Sequence, residues 1–142
     1  MTIAACPNLI AAATLLEGSG LPAADLTAAH MDHFFYSGAA TAPEGIVGVE
    51  FCGPDALLRS LVVIPEMRES GLGSELVKHA ERYAQSKGVR AVYLLTTTAE
   101  QFFCRRGYAS TPRDSAPLAI QKTREFAGLC PTSSAFLSKK LL

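Results

Sequence analysis

"VVIPEMRESGLGSELVKHAE", Val62 to Glu81, holds a short apolar run, a proline, an arginine, two glycines two residues apart, and then an amphipathic helix in which Leu72, Leu76, Ala80 and Tyr83 share a face. A strand-to-helix connection needs one flexible residue, not Arg68, Gly71 and Gly73 together. The first turn of a helix exposes N–H groups without intrahelical partners, and the helix dipole adds positive potential there. Glycines allow an anion to approach those amides, and Arg68 adds a charge that does not titrate near neutrality. The junction therefore reads as a pyrophosphate cradle. It lacks the Gly-Lys-Ser/Thr of a Walker loop and is not a G-x-G-x-x-G turn.

Outward from this junction, "GIVGVEFCG" alternates as a strand, and "ALLRSLVVI" follows after "GPDA", so Gly45 to Ile64 reads as a hairpin. "AVYLLTTT" is a further strand, "AEQFFCRRGY" a short helix ended at Gly107, "DSAPLAIQKTREFAG" part helical, and "SSAFLSKKLL" a last strand. Ahead of the hairpin, a very short strand at Thr2 to Ala5 precedes a helix through Ile10, Leu15 and Leu16 that closes at "EGSG". A second helix is expected from Ala24 to Phe35, where Leu26, His30, His33 and Phe34 fall at helical spacing. The pattern predicts one α/β domain over residues 1–142, with a mixed, mostly antiparallel central sheet flanked by helices.

The 142 residues carry 13 basic and 13 acidic side chains, so no broad electrostatic footprint for nucleic acid is expected, and any anion must be held locally. Cys6, Cys52, Cys104 and Cys130 form no metal-ligand spacing, which argues against a metal site and for reduced thiols in a cytoplasmic protein. The start lacks the basic region of a signal peptide, and no run reaches membrane-spanning length. Arg59 stands out within an apolar strand: it either clamps an acidic group of a ligand or forms an internal ion pair with Asp55, Glu50 or Glu125.

"Val63-Ile64-Pro65-Glu66-Met67-Arg68-Glu69-Ser70-Gly71-Leu72-Gly73" and "Phe103-Cys104-Arg105-Arg106-Gly107-Tyr108" closely resemble two motifs of the GNAT N-acetyltransferase superfamily. "LLRSLVV", "YLLTTTAEQFF", "RDSAPLAIQKTREFAGLCP" and "SSAFLSKKL" are similar to the small GNAT proteins of bacterial arsenic-resistance operons. "LLTTTAEQFFCRRGY" and the C-terminal strand also resemble the acetyltransferase domain of N-acetylglutamate synthase. That domain usually has an arginine two residues before the serine, where this chain has Thr132 before Ser134.

The resemblance implies acetyl-CoA as co-substrate, no metal, and a small-molecule amine as acceptor: an amino acid or an amino-acid-like compound such as a glutamate-like arsenical. It implies neither nucleic acid nor membrane as partner, and allows a homodimer. Acetyl-CoA would contact Leu61, Val62 and Val63, the loop residues Arg68, Glu69, Ser70, Gly71, Leu72, Gly73 and Ser74, and Phe102, Phe103 and Arg106. The thioester would lie where the strand of Leu61 to Val63 parts from that of Leu95 to Thr98, with the Val62 or Val63 amide as oxyanion donor. Direct attack by the amine would leave no covalent enzyme intermediate.

Many relatives place a tyrosine four residues before the glycine of the second motif. Phe103 stands there, and a thiolate of pKa near ~8.5 leaves tolerably without an acid. Tyr108 is expected to pack. Glu50 acting through water is the candidate base, with His30 or His33 as alternatives. Arg59, Ser60, His33, Thr97 and Cys130 are the candidate acceptor contacts. A CoA-binding module without turnover and an acetyltransferase of protein N-termini are the competing readings.

Overall fold

The computed structural model describes residues 2–141. Seven strands follow the order β1-β2-β3-β4-β5-β7-β6: β1 Ile3–Ala5, β2 Phe34–Ala39, β3 Ala42–Cys52, β4 Asp55–Val63, β5 Ala91–Thr96, β6 Ala109–Ser110 and β7 Ala135–Lys140. β1–β2, β2–β3, β5–β7 and β6–β7 pair antiparallel, and β4 with β5 parallel. The four helices are α1 Leu9–Gly18, α2 Leu72–Ser86, α3 Glu100–Cys104 and α4 Leu118–Gln121. This is the mixed, mostly antiparallel sheet that the sequence predicts. The chain gathers into two compact units, one comprising residues up to 50 with 58–83, the other residues 51–57 with 84 onward.

In the first unit, α1 begins where the Asn8 side chain accepts from the Ala11 N–H at 3.0 Å, an N-cap worth about 1 kcal/mol. Ala12 and Leu16 carry its buried face onto Met31, Phe34, Ile46 and Val62, the core of this unit. Leu72, Leu76 and Ala80 of α2 are fully buried at the expected four-residue spacing. Gly45 gives this helix room: a Cβ there would come within 2.9 Å of the Leu76 side chain.

The expected hairpin is present, β3 running into β4 through Gly53 and Pro54, with Gly53 at φ 65°. The helix expected from Ala24 to Phe35 is not formed. Residues 21–29 are irregular, His30–His33 make one 3-10 turn, and Phe34 enters β2. "FFYSG" buries Phe34, Phe35 and Ser37, and β2 has partners on both sides, so ladder hydrogen bonds and aromatic packing override the helical spacing.

In the second unit, β5 buries Val92 and Leu94 on one face. On the other, Tyr93 and Leu95 pack on Cys52, Leu57, Ala116, Ile120 and Phe136. Tyr93 stacks on Phe136 at 5.7 Å, and Phe126 meets Phe136 edge-on at 5.3 Å. Just past α2, Gly88 takes φ 86°, and the Val89 N–H reaches back to the Ala84 carbonyl. The expected part-helical stretch resolves into α4 and a π-type turn at Glu125–Leu129.

Gly48 faces Phe34 across the β2–β3 ladder, and a Cβ on it would lie 2.3 Å from the phenyl ring. Phe34 is fully buried and cannot swing into solvent. Gly48→Ala should therefore cost about 1–3 kcal/mol, read as a lower midpoint with unchanged slope in urea unfolding.

Candidate active site

β4 leads into the site through a break in its backbone conformation. Arg59 and Ser60, 3% and 8% exposed, end a run buried on both faces from Ala56 onward, and Ser60 takes φ 62°, a left-handed conformation that costs a non-glycine residue about 1–2 kcal/mol. The break re-aims the residues that follow, so that Leu61 and Val63 are half-buried and Val62 enters the core. A strained position directly ahead of the backbone expected to meet the thioester is the kind of outlier that functional sites hold.

After Val63 the chain makes a 3-10 turn at Pro65–Met67, then Arg68, and two left-handed residues, Glu69 at φ 65° and Gly71 at φ 90°, before α2 starts at Leu72. Two such reversals within three residues turn the backbone sharply into the helix. The Ser70 hydroxyl accepts from the Leu72 N–H at 3.3 Å and donates to the Met67 carbonyl, and the Glu75 N–H closes the first helical bond on Gly71. Gly73 and Ser74 are left with amides that have no acceptor among the described residues. Glu69, Ser70 and Gly71 are exposed, so a solvent-borne anion has a path to those N–H groups. Arg68 is exposed as well, its Nε donating to the Val63 carbonyl at 3.3 Å.

Arg59 departs from its expected role as acceptor clamp. Its side chain has no exposure, and its Nη1 and Nη2 donate to the two oxygens of Asp25 at 2.6 and 2.9 Å. Nη1 also donates to Glu50 Oε1 at 3.0 Å, and Nε to Ser60 Oγ at 3.0 Å. A guanidinium so engaged holds the fold instead of presenting its fork to a ligand. The internal ion pair includes Glu50, one of the three candidate partners, and Asp25, which was not among them. The cue for Asp25 was the need of a buried cation for carboxylates, not any spacing. Asp25, His30 and Glu50 bring donor atoms within 4.8 Å of one another, and the positive charge bonded to both carboxylates is that of Arg59. His30 Nδ1 accepts from the Thr27 N–H at 3.1 Å.

His33 Nδ1 lies 2.6 Å from the Tyr83 hydroxyl, beside Phe35, which meets both Tyr83 and His79 edge-on. Glu50 keeps its carboxylate partly exposed, at 24%, while bonded to Arg59. In the second unit, Phe103 is buried and packs edge-on against Phe102 at 5.1 Å and Tyr108 at 5.5 Å, so both Phe103 and Tyr108 are packing residues. The Arg106 guanidinium stacks 3.6 Å over Phe102 and donates to the Phe102 carbonyl, burial lowering its pKa and Arg105 adding to the effect. Thr97 is exposed past the end of β5, and Cys130 is half-buried after the π-type turn.

The chain belongs to the acetyltransferase (GNAT) family, whose model matches residues 26–108. An amino-acid acetyltransferase of Ralstonia nicotianae is 35% identical over 57 residues, 40% of this chain and 13% of that protein. An uncharacterized N-acetyltransferase of Chlorobaculum tepidum is 38% identical over 65 residues, 46% of this chain and 41% of that protein. The structure of N-acetylglutamate synthase from Neisseria gonorrhoeae, complexed with coenzyme A and N-acetyl-glutamate, superposes with a TM-score of 0.82 at 20% identity, covering 99% of this chain and 35% of that one. Rv2747 from Mycobacterium tuberculosis superposes with a TM-score of 0.74 at 15% identity over the whole of both chains. At these identities the structures establish the fold, and the chain spans only a fraction of the curated relatives' length.

Burial alone would raise the Asp25 carboxyl, but the hydrogen bonds and charge of Arg59, with a smaller contribution from His30, outweigh it and hold the pKa below the ordinary value. A carboxyl lowered in the folded state stabilises above its unfolded pKa of about 3.9, and that contribution fades as pH falls through the folded value. Asp25→Asn should cost about 3 kcal/mol at neutral pH, because it strips the buried guanidinium of its bidentate partner. The gap between parent and variant should narrow below about pH 4. Urea unfolding of both proteins from pH 7 down to pH 3 measures it.

Proposed function

We propose that the chain works as a single domain that transfers the acetyl group of acetyl-CoA to the amine of a small acidic acceptor, an amino acid or amino-acid-like compound. The observation that carries this reading is the backbone from Glu69 to Ser74. Two left-handed residues and two unpartnered amides at the start of a fifteen-residue helix suit the pyrophosphate of a CoA ester. Family membership supports the reaction class, and the names of the relatives support an amino-acid acceptor. A glutamate-like arsenical remains one specific candidate within that class.

The chemistry asks little of side chains. The amine attacks the thioester carbonyl directly, the carbonyl oxygen gains charge and is met by the Val62 or Val63 amide, and the tetrahedral species collapses with loss of the CoA thiolate. Leu61 to Val63 are the remaining cofactor contacts of the first unit in this reading. Glu50, partly exposed, takes the ammonium proton through water, with Arg59 fixing its position. Phe103 supplies packing, since a thiolate leaves without a general acid.

Incubation with acetyl-CoA and an amino-acid panel, followed by mass spectrometry, tests the activity. Acetylated amino acid with matching thiol release is expected; CoA binding without turnover, or acetylation only of peptide N-termini, would replace this reading. Gly73→Glu tests the cradle. An acidic residue in the first turn suits the helix dipole, so the fold should survive, while the carboxylate takes the anion's place. Calorimetry should show acetyl-CoA binding weakened by at least about 100-fold, as expected when charge-assisted contacts give way to like-charge repulsion. Binding equal to the parent's would remove the loop from the site.

A further inference from the structure

With Arg59 committed to Asp25 and Glu50, the charge that selects an acidic acceptor must lie elsewhere. We infer that Arg113 and Ser134 form an oxyanion subsite that holds the carboxylate, or a comparable acidic group, of the acceptor. The inference rests on the acetyltransferase reading for the identity of the ligand, and on the geometry for the site itself.

Two independent observations meet at one place. Arg113, half-buried in the segment between β6 and α4, donates from Nη2 to the Ser134 carbonyl at 2.7 Å, and its guanidinium carbon lies 5.6 Å from the centre of the Phe126 ring. It has no carboxylate partner among the described residues. A half-buried guanidinium tied only to a neutral carbonyl and an aromatic face still carries an unmatched charge and further N–H groups.

Ser134 is 6% exposed, and its hydroxyl has no hydrogen-bond partner. Its own N–H is used on Pro131 and its carbonyl on Arg113, so the hydroxyl is the one group of this residue left over. A buried hydroxyl without a partner costs stability, and alanine would fill the same space without that cost. A ligand oxygen would satisfy it.

Ser134 lies next to Ala135, which pairs with Thr96 at the C-terminal end of β5, and Thr97 follows there, exposed. Strand ends of this kind are where α/β sheets place small ligands. One oxygen of a carboxylate taken by Arg113 and the other by the Ser134 hydroxyl gives a charge-assisted pair that an ester or an amine without an acid cannot form.

Calorimetry and steady-state kinetics with L-glutamate, L-aspartate, the arsenical analogue of glutamate and the dimethyl ester of glutamate test this on the intact chain. The parent should bind at least one of the acids and discriminate against the ester. Arg113→Gln should raise Kd and KM for that acid about 10- to 100-fold, with the KM for acetyl-CoA and for the ester unmoved, and Arg113→Lys should restore part of the loss. Ser134→Ala should raise the same constants several-fold while the melting temperature stays level or rises, an outcome that a purely structural serine would not give. Binding of the acid that either variant leaves unchanged, an equal loss on acid and ester, or a parent that binds none of the acids would overturn the assignment. Acid binding that depends on Arg113 in a protein without turnover on any amine would keep the subsite and refute the acetyltransferase reading instead.

Discussion

A guanidinium with no solvent exposure can exist only where carboxylates reach it, and much of the first unit is arranged around that requirement. Arg59 sits on β4 among Leu57, Leu58 and Ser60, all buried. Glu50 comes from the neighbouring arm of the hairpin, while Asp25 has to come from a stretch distant in sequence. Residues 21–29 stay irregular, and the carboxylate of Asp25 reaches the guanidinium from within that stretch. The hydrogen bonds that Arg59 donates to Asp25, Glu50 and Ser60 offset the desolvation of its charge, and losing Asp25 would strip the buried guanidinium of its bidentate partner.

The same ion pair stands beside the reversal at Ser60. Arg59 Nε bonds the hydroxyl of the one β4 residue with a left-handed backbone, so the bond that helps to bury the cation also helps to hold the strained position. Leu61 to Val63 follow at once, and Arg68 then folds back onto the Val63 carbonyl. The backbone that runs from Ser60 toward α2 is thus held by the side chains of Arg59 and Arg68. In a chain of zero net charge any attraction for a phosphate has to be local, and in the proposed reading Glu69, Gly71 and the start of α2 would supply it through backbone dipoles.

Much of this was legible in the sequence because it depends on local physics. The four-residue spacing of Leu72, Leu76 and Ala80 fixed the buried face of α2. Gly107 reads as a helix stop and takes φ 94°, and "GPDA" marked the hairpin. The turn from Glu69 into α2 is likewise a matter of consecutive residues. A phenyl ring at Phe103 cannot donate a proton, the resembled motif implied that Tyr108 packs, and the two rings meet edge-on.

What the sequence could not decide were the pairings between distant residues. Leu26, His30 and Phe34 have helical spacing, yet ladder bonds from strands on either side make Phe34–Ala39 a strand. Arg59 read equally well as a clamp for substrate or as an internal cation, and the choice was made by Asp25, thirty-four residues away. Nothing in the spacing of Arg113 and Ser134 tied them together, and folding joined the guanidinium to the Ser134 carbonyl across twenty-one residues. The reason is common to all three. A buried polar group is defined by its partner, and spacing along a chain cannot say which distant partner the folded backbone will deliver.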